Sequence, residues 1–243
     1  MRQFSDAHIA ALAVLAVAAV PTVWAARRYP GRWMVTWARA LALVIIVGWV
    51  GEYVAEAVQG TWTVASSLPL QLTNAVSAVA VLALWTSRPM LVELLYFWSL
   101  TASLQATLTP DLAHSFPSAL YFTYFAYHVA PVVAGCFLVL GCRLYPRPGA
   151  YWSVFVVTVA FAAVAGVGNL ITGGNYMYLR AKPVHGSLLD VMGPWPLYIL
   201  STAVLGLAML FALQLLADWL RQRDPISGAR LPPHVLARQT YPR

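Results

Sequence analysis

The side chains that could do chemistry in this chain sit inside or beside strongly apolar segments. Thr73 closes the stretch LPLQLTN, and His128 lies in YFAYHVAPV. A hydroxyl and a neutral imidazole are the minimal pair for nucleophilic acyl transfer: the imidazole takes the hydroxyl proton and later delivers it to the leaving group. Tyr121, Tyr124 and His128 fall at i, i+3 and i+7, one helical face. Pro131 follows and removes a backbone donor one turn beyond His128, loosening the helix there. Glu52, Gln71, Asn74, Asn169 and Asn175 add polar groups that lipid-facing positions would exclude, and Asn74 or Asn169 could donate to an oxyanion. Each has a plain alternative. Membrane threonine usually bonds the carbonyl one turn back, and intramembrane amides commonly bridge helices. A buried Glu52 needs a partner, water or a proton, and Arg180 or Lys182 could pair with it. It could equally orient His128 or hold a water.

The elements that position these groups are membrane segments. Of 243 residues, 60% are hydrophobic and 9% charged, against about 25% charged in soluble domains. Seven runs approach the roughly 20 apolar residues a span requires: 8–26, 37–57, 68–86, 90–108, 119–142, 151–171 and 195–220. The expected fold is an all-α, seven-helix membrane bundle over residues 1–220, followed by a basic, Pro-containing tail at 221–243. Arginines follow the first, third, fifth and seventh runs, so the cytoplasmic side carries those loops, with the N-terminus outside and the C-terminus inside. Asp6 and Arg2 before the first run, with Arg27 and Arg28 after it, favour a retained helix over a cleaved signal. In this frame Thr73 lies about 8 Å into its span at 1.5 Å per residue, and the polar residues gather toward the outer side.

The +7 net charge is spread over span ends and forms no basic face, which argues against a nucleic-acid partner. No His, Cys or carboxylate spacing suits a metal, and none implies a cofactor. Cys136 and Cys142 read as core residues. Ala162 and Gly166 have small-xxx-small spacing for close packing. The long outer loop, GNLITGGNYMYLRAKPVHGSLLDVMGPWP, has interfacial aromatics (Tyr176, Tyr178, Trp195, Tyr198) and two cations, Arg180 and Lys182, that could meet a phosphate head group.

LPLQLTN, TPDLAHSFPS, YFAYH, GGNYMYLRAKP and SLLDVMGPWP together resemble the YwaF-like family of bacterial integral membrane proteins, from about residue 48 to residue 200. That family is similar to a eukaryotic multi-pass acyltransferase that remodels phospholipids. More distantly it resembles the androgen-induced-gene type of intramembrane hydrolases. In acyltransferase-like members the third-span motif reads LPLHLC, with the cysteine as nucleophile; the matching positions here are Gln71 and Thr73. The hydrolase relatives pair a threonine with a histidine. The resemblance implies a lipid-directed acyl hydrolase or acyltransferase of the bacterial plasma membrane, with Thr73 and His128 in its site and membrane lipid as its partner. Two other readings stand beside it: a non-catalytic lipid- or peptide-binding protein, and a proton-coupled transporter using Glu52 and His128.

Overall fold

A computed structural model describes residues 3–112, 114–183 and 187–224; the expected tail beyond Asp224 lies outside them. The described residues are all-helical, with α1 Asp6–Arg28, α2 Trp33–Gln59, α3 Leu72–Thr86, α4 Pro89–Trp98, α5 Leu104–Leu108, α6 Ala119–Cys136, α7 Ala150–Thr172 and α8 Leu197–Arg223. A π-helical stretch, Ser99–Ser103, joins α4 to α5 in one rod, and another, Phe137–Gly141, extends α6. The result is seven rods matching the seven apolar runs. Among the described residues five helices are long and apolar enough to cross a membrane, while α3 is shorter.

Local chemistry sets the ends. α2 stops at Gly60 and α7 at Gly173, both in the left-handed conformation that ends helices without a Cβ penalty. Pro89 opens α4 at a position where its missing N–H costs nothing. Ser118 caps α6, its hydroxyl accepting from the Tyr121 amide at 3.2 Å. Pro131 does not end α6, which runs on to the π turn at Phe137.

α6 is the buried axis and touches α1, α2, α3, α4 and α5. α7 and α8 pair with each other at the periphery and present Val164, Leu170, Leu200 and Val204 outward, as lipid-facing helices do. Close packing falls on α2 against α6. A Cβ on Gly48 would lie 2.9 Å from both the Ala126 Cβ and the Tyr127 amide nitrogen, and one on Gly51 would lie 2.9 Å from the Thr123 methyl. A Cβ on Gly135 would lie 2.6 Å from the Ser99 hydroxyl of the π stretch. The expected contact at Ala162 and Gly166 is not a tight one: a Cβ on Gly166 meets only a leucine methyl, at 3.8 Å.

The face where α1 ends, called lower here, holds two buried carboxylates. Glu93, 2% exposed, accepts from Arg147 Nε (2.7 Å), Nη2 (2.8 Å) and backbone N–H (2.9 Å). This pairing holds the Arg147 guanidinium above its ordinary range. Asp224 accepts from Arg27 (3.1 Å), Arg143 (2.9 Å) and Tyr145 (2.9 Å), tying α1, the end of the α6 rod and α8 together. The arginines read above as markers of sidedness are thus also structural partners. On the opposite, upper face, His8 accepts from the Phe4 amide at Nδ1 and donates from Nε2 to the Thr107 carbonyl, both at 2.9 Å, which fixes its tautomer. Tyr121 donates to the Ala7 carbonyl at 2.6 Å.

Two outcomes follow. Gly48→Ala is expected to lower stability by about 1–3 kcal/mol through overpacking, whereas Gly206→Ala, with open space around it, is expected to be neutral or stabilising; thermal unfolding in detergent measures both. Arg147→Ala strands a buried carboxylate and is expected to cost about 3–5 kcal/mol. Glu93→Gln leaves only an exposed guanidinium to be solvated, so the same assay should show it as the milder change.

Candidate functional site

α3 begins later than the apolar run. Leu68, Pro69 and Leu70 are non-helical, Gln71 is an extended N-cap, and Leu72 is the first helical residue. Thr73 is therefore in the first turn of α3, not a turn and a half into a span. Its side chain is half-buried, and its hydroxyl forms no hydrogen bond among the described residues. The amides of Leu72 and Thr73 likewise have no acceptor, as first-turn donors must unless something outside the helix supplies one. One turn on, Ser77 donates to the Thr73 carbonyl (3.1 Å) and lies 3.5 Å from the Tyr127 carbonyl of α6. α3 is thus keyed to α6 at the residue preceding His128.

His128 is 3% exposed. Its Nδ1 is 2.8 Å from the Tyr124 carbonyl. A carbonyl only accepts, so Nδ1 carries the proton and Nε2 the lone pair. Nε2 has no hydrogen-bond partner among the described residues. The ring is stacked on Tyr124, centroids 4.1 Å apart at 25°, and sits 4.1 Å from the Tyr127 ring. Tyr124 is itself held by donation to the Ala106 carbonyl at 2.9 Å. Backbone and stacking together orient a neutral imidazole with a free basic nitrogen. Thr73 and His128 occupy helices in contact but are not hydrogen-bonded to each other.

Glu52 does not orient that imidazole. Its Oε2 accepts from Thr123 at 2.6 Å. Neither expected cation reaches it: Arg180 donates to the Gly174 carbonyl (3.4 Å), and Lys182 to the Asp190 carbonyl (3.3 Å), with its ammonium 5.6 Å from the Tyr198 ring.

The long loop folds back over the upper face and engages most of the candidate amides. Asn169 grips Tyr176 at both ends of its side chain, accepting from its N–H at 2.6 Å and donating to its carbonyl at 3.0 Å. Gln71 accepts from the Met177 amide at 2.8 Å. Asn74 accepts from the Gln71 amide at 3.3 Å. Asn175 donates to the Ala181 carbonyl (2.8 Å) and accepts from the Arg180 and Ala181 amides (2.9 and 3.1 Å). Tyr176 is fully buried rather than interfacial, donating to the Val64 carbonyl (2.7 Å) and accepting from the Leu68 amide (2.9 Å). Tyr178 donates to Asp111 at 2.9 Å. Burial, with the Asp111 carboxylate beside it, pushes that phenol well above its ordinary range and keeps it a donor. Tyr198 donates to the Tyr178 carbonyl. His185 lies outside the described residues.

Residues 3–214 match the TMEM164 family. The chain belongs to that family. No curated protein and no solved structure matches it. The TMEM164-family region spans every helix that carries the site, and its five long apolar helices make it a multi-pass integral membrane protein. Among the described residues of this TMEM164-family chain, no three His, Cys, Asp or Glu side chains gather as metal ligands. Sequence reasoning passed over Tyr127, Thr123 and Glu93. The first two are ordinary helix residues until α2 packs on α6, and Glu93 is hidden in the apolar run LVELLYFW.

Asn169→Ala removes both hydrogen bonds to Tyr176 and leaves its buried backbone groups unpaired, at about 1–3 kcal/mol each. Hydrogen exchange of 174–182 is expected to accelerate at least tenfold, with α6 amides unchanged.

Proposed function

We propose that this protein is a lipid-directed acyl hydrolase or acyltransferase working at the upper face. The observation that carries the reading is His128: on a residue 3% exposed, its Nδ1 is committed to a carbonyl while its Nε2 has no hydrogen-bond partner among the described residues, on a helix keyed to the one bearing Thr73, whose hydroxyl also has none among them. Thr73 attacks the ester carbonyl and His128 Nε2 takes its proton. The oxyanion meets the uncommitted amides at the start of α3, where the helix dipole also favours negative charge. The imidazolium returns the proton to the departing alcohol, leaving an acyl-threonine. Water then completes hydrolysis, or a lipid hydroxyl completes transfer.

The likeness of LPLQLTN to LPLHLC supports the placement of the nucleophile. Threonine is a weaker nucleophile than cysteine and depends wholly on its base, which a tautomer-fixed imidazole answers. The positive lower loops support a cytoplasmic lower face, so the site opens to the exterior of a bacterial plasma membrane. Arg180 and Lys182 border the loop where a lipid phosphate would arrive. Gln71, Asn169 and Asn175 serve as supports for that loop, and Asn74 caps the start of α3 beneath it.

The test is turnover of a fluorogenic acyl ester by the protein in lipid vesicles. Thr73→Ala and His128→Ala should each lower the rate by about 10²–10⁴-fold, with Thr73→Ser retaining activity. An acyl-reactive phosphonate should label Thr73 only when His128 is present. Undiminished turnover by a folded Thr73→Ala protein sinks the assignment.

A further inference from the structure

The upper end of α2 holds a second constellation that the acyl chemistry does not use. Trp49, Glu52, Tyr53 and Glu56 fall at i, i+3, i+4 and i+7, one face of α2. It continues the face that packs Ile45 and Gly48 into the bundle. Tyr127 of α6 packs against this face of α2, its amide nitrogen 2.9 Å from where a Cβ on Gly48 would lie. The Trp49 and Tyr53 rings are 6.4 Å apart at 54°.

What sets this cluster apart is how little of it is satisfied. Glu56 Oε2 is a buried atom with no hydrogen-bond partner, and the buried Tyr53 hydroxyl and Trp49 Nε1 lie beside each other with no partner beyond that contact. Tyr127 is 8% exposed, and its hydroxyl also forms no hydrogen bond among the described residues. Among the described residues Glu52 has only the Thr123 hydroxyl. No lysine, arginine or histidine pairs with either carboxylate among the described residues. The lower-face carboxylates are the contrast, since Glu93 and Asp224 each hold arginine. Two carboxylates beside three aromatic rings, with no cation of the protein's own, form a site for a cation from outside.

Its chemistry narrows the ligand. A hard metal ion takes six or more oxygen ligands, and no third His, Cys, Asp or Glu joins this pair among the described residues. An alkylammonium group suits the whole set: carboxylates supply countercharge, ring faces attract the cation, and phenol oxygens accept N–H bonds. Depth agrees. Glu56 is three residues from the end of α2 at Gln59, about 4.5 Å at helical rise, the level of lipid head groups. We infer that Trp49, Glu52, Tyr53, Glu56 and Tyr127 bind an alkylammonium group, as borne by an amine head group or a free organic amine. This goes beyond the acyl-transfer reading and does not depend on it.

The experiment measures binding without turnover. The full-length protein is placed in phosphatidylglycerol nanodiscs doped with phosphatidylethanolamine or phosphatidylcholine, and retained lipid is read by native mass spectrometry. A parallel arm titrates tetramethylammonium and ethanolamine while following tryptophan fluorescence. The wild type should enrich an amine-bearing lipid, or bind the free amine, about tenfold more strongly than the Glu52→Gln/Glu56→Gln variant. Binding in the lipid arm alone assigns the site to head groups; binding in the free-amine arm assigns it to soluble amines. Thr73→Ala should bind like the wild type, so loss of turnover and loss of binding are separable. Should the double glutamine variant fold poorly, Tyr127→Phe and Glu56→Gln alone, each expected to weaken binding, carry the test. Equal binding by the wild type and folded variants, or no preference for amines in either arm, overturns the proposal.

Discussion

A polar group inside an apolar slab must find a partner within the protein, because hydrocarbon offers none. Most of this architecture answers that demand. On the lower face two buried carboxylates take arginines from other elements, and those ion pairs fasten α4 to the start of α7 and α1 to the end of α8. On the upper face the demand falls on backbone. Asn169, Gln71 and Asn175 spend their side chains on carbonyls and amides of the loop that covers the bundle, and Tyr176 of that loop spends its hydroxyl on the backbone of Val64 and Leu68 between α2 and α3. Removing one partner there costs more than the hydrogen bond itself, since the other is left dry.

Against that background the unsatisfied groups carry information. Some lie elsewhere: Trp37 Nε1, one Arg39 nitrogen and the Ser103 hydroxyl, with the Arg39 guanidinium stacked 3.7 Å over Trp85. The rest gather where α2, α3 and α6 meet toward the upper face. They include His128 Nε2 and the Thr73 hydroxyl, which the proposed acyl chemistry pairs as base and nucleophile, and the carboxylates of Glu52 and Glu56. Gly48 and Gly51 set this geography. By letting α2 touch the α6 backbone beside Tyr127 and Thr123, they bring the carboxylate face of α2 against the aromatic stripe of α6.

The apolar runs made the helices legible, because a span leaves a continuous stretch that few other structures need. The start of α3 was not legible from hydropathy. LPL is as apolar as the helix that follows, and only Pro69, disfavouring helix in the residue before it, hinted at the extended lead-in. That difference moved Thr73 from a turn and a half inside the span to the first turn of the helix. The amides were visible as exceptions, but their partners were not, since they belong to a loop about 100 residues away along the chain, as with Gln71 and Met177. Tyr176 looked like an interfacial aromatic because burial of a phenol depends on tertiary partners. The π stretches left no mark in composition.

The covering loop and the α3 terminus are one mechanical unit. Met177 and Tyr178 both hold left-handed backbone conformations, at φ 54°, which non-glycine residues adopt at a cost. Each is held by a contact at a different element. Met177 donates to Gln71, Tyr178 donates to Asp111, and the Tyr178 carbonyl accepts from Tyr198. Gln71 is also the N-cap whose carbonyl accepts from Asn74 and Ala75, two residues before the hydroxyl of interest. The covering loop and the first turn of α3 therefore meet at Gln71, whose side chain accepts from Met177 and whose backbone carbonyl begins the helix that carries Thr73.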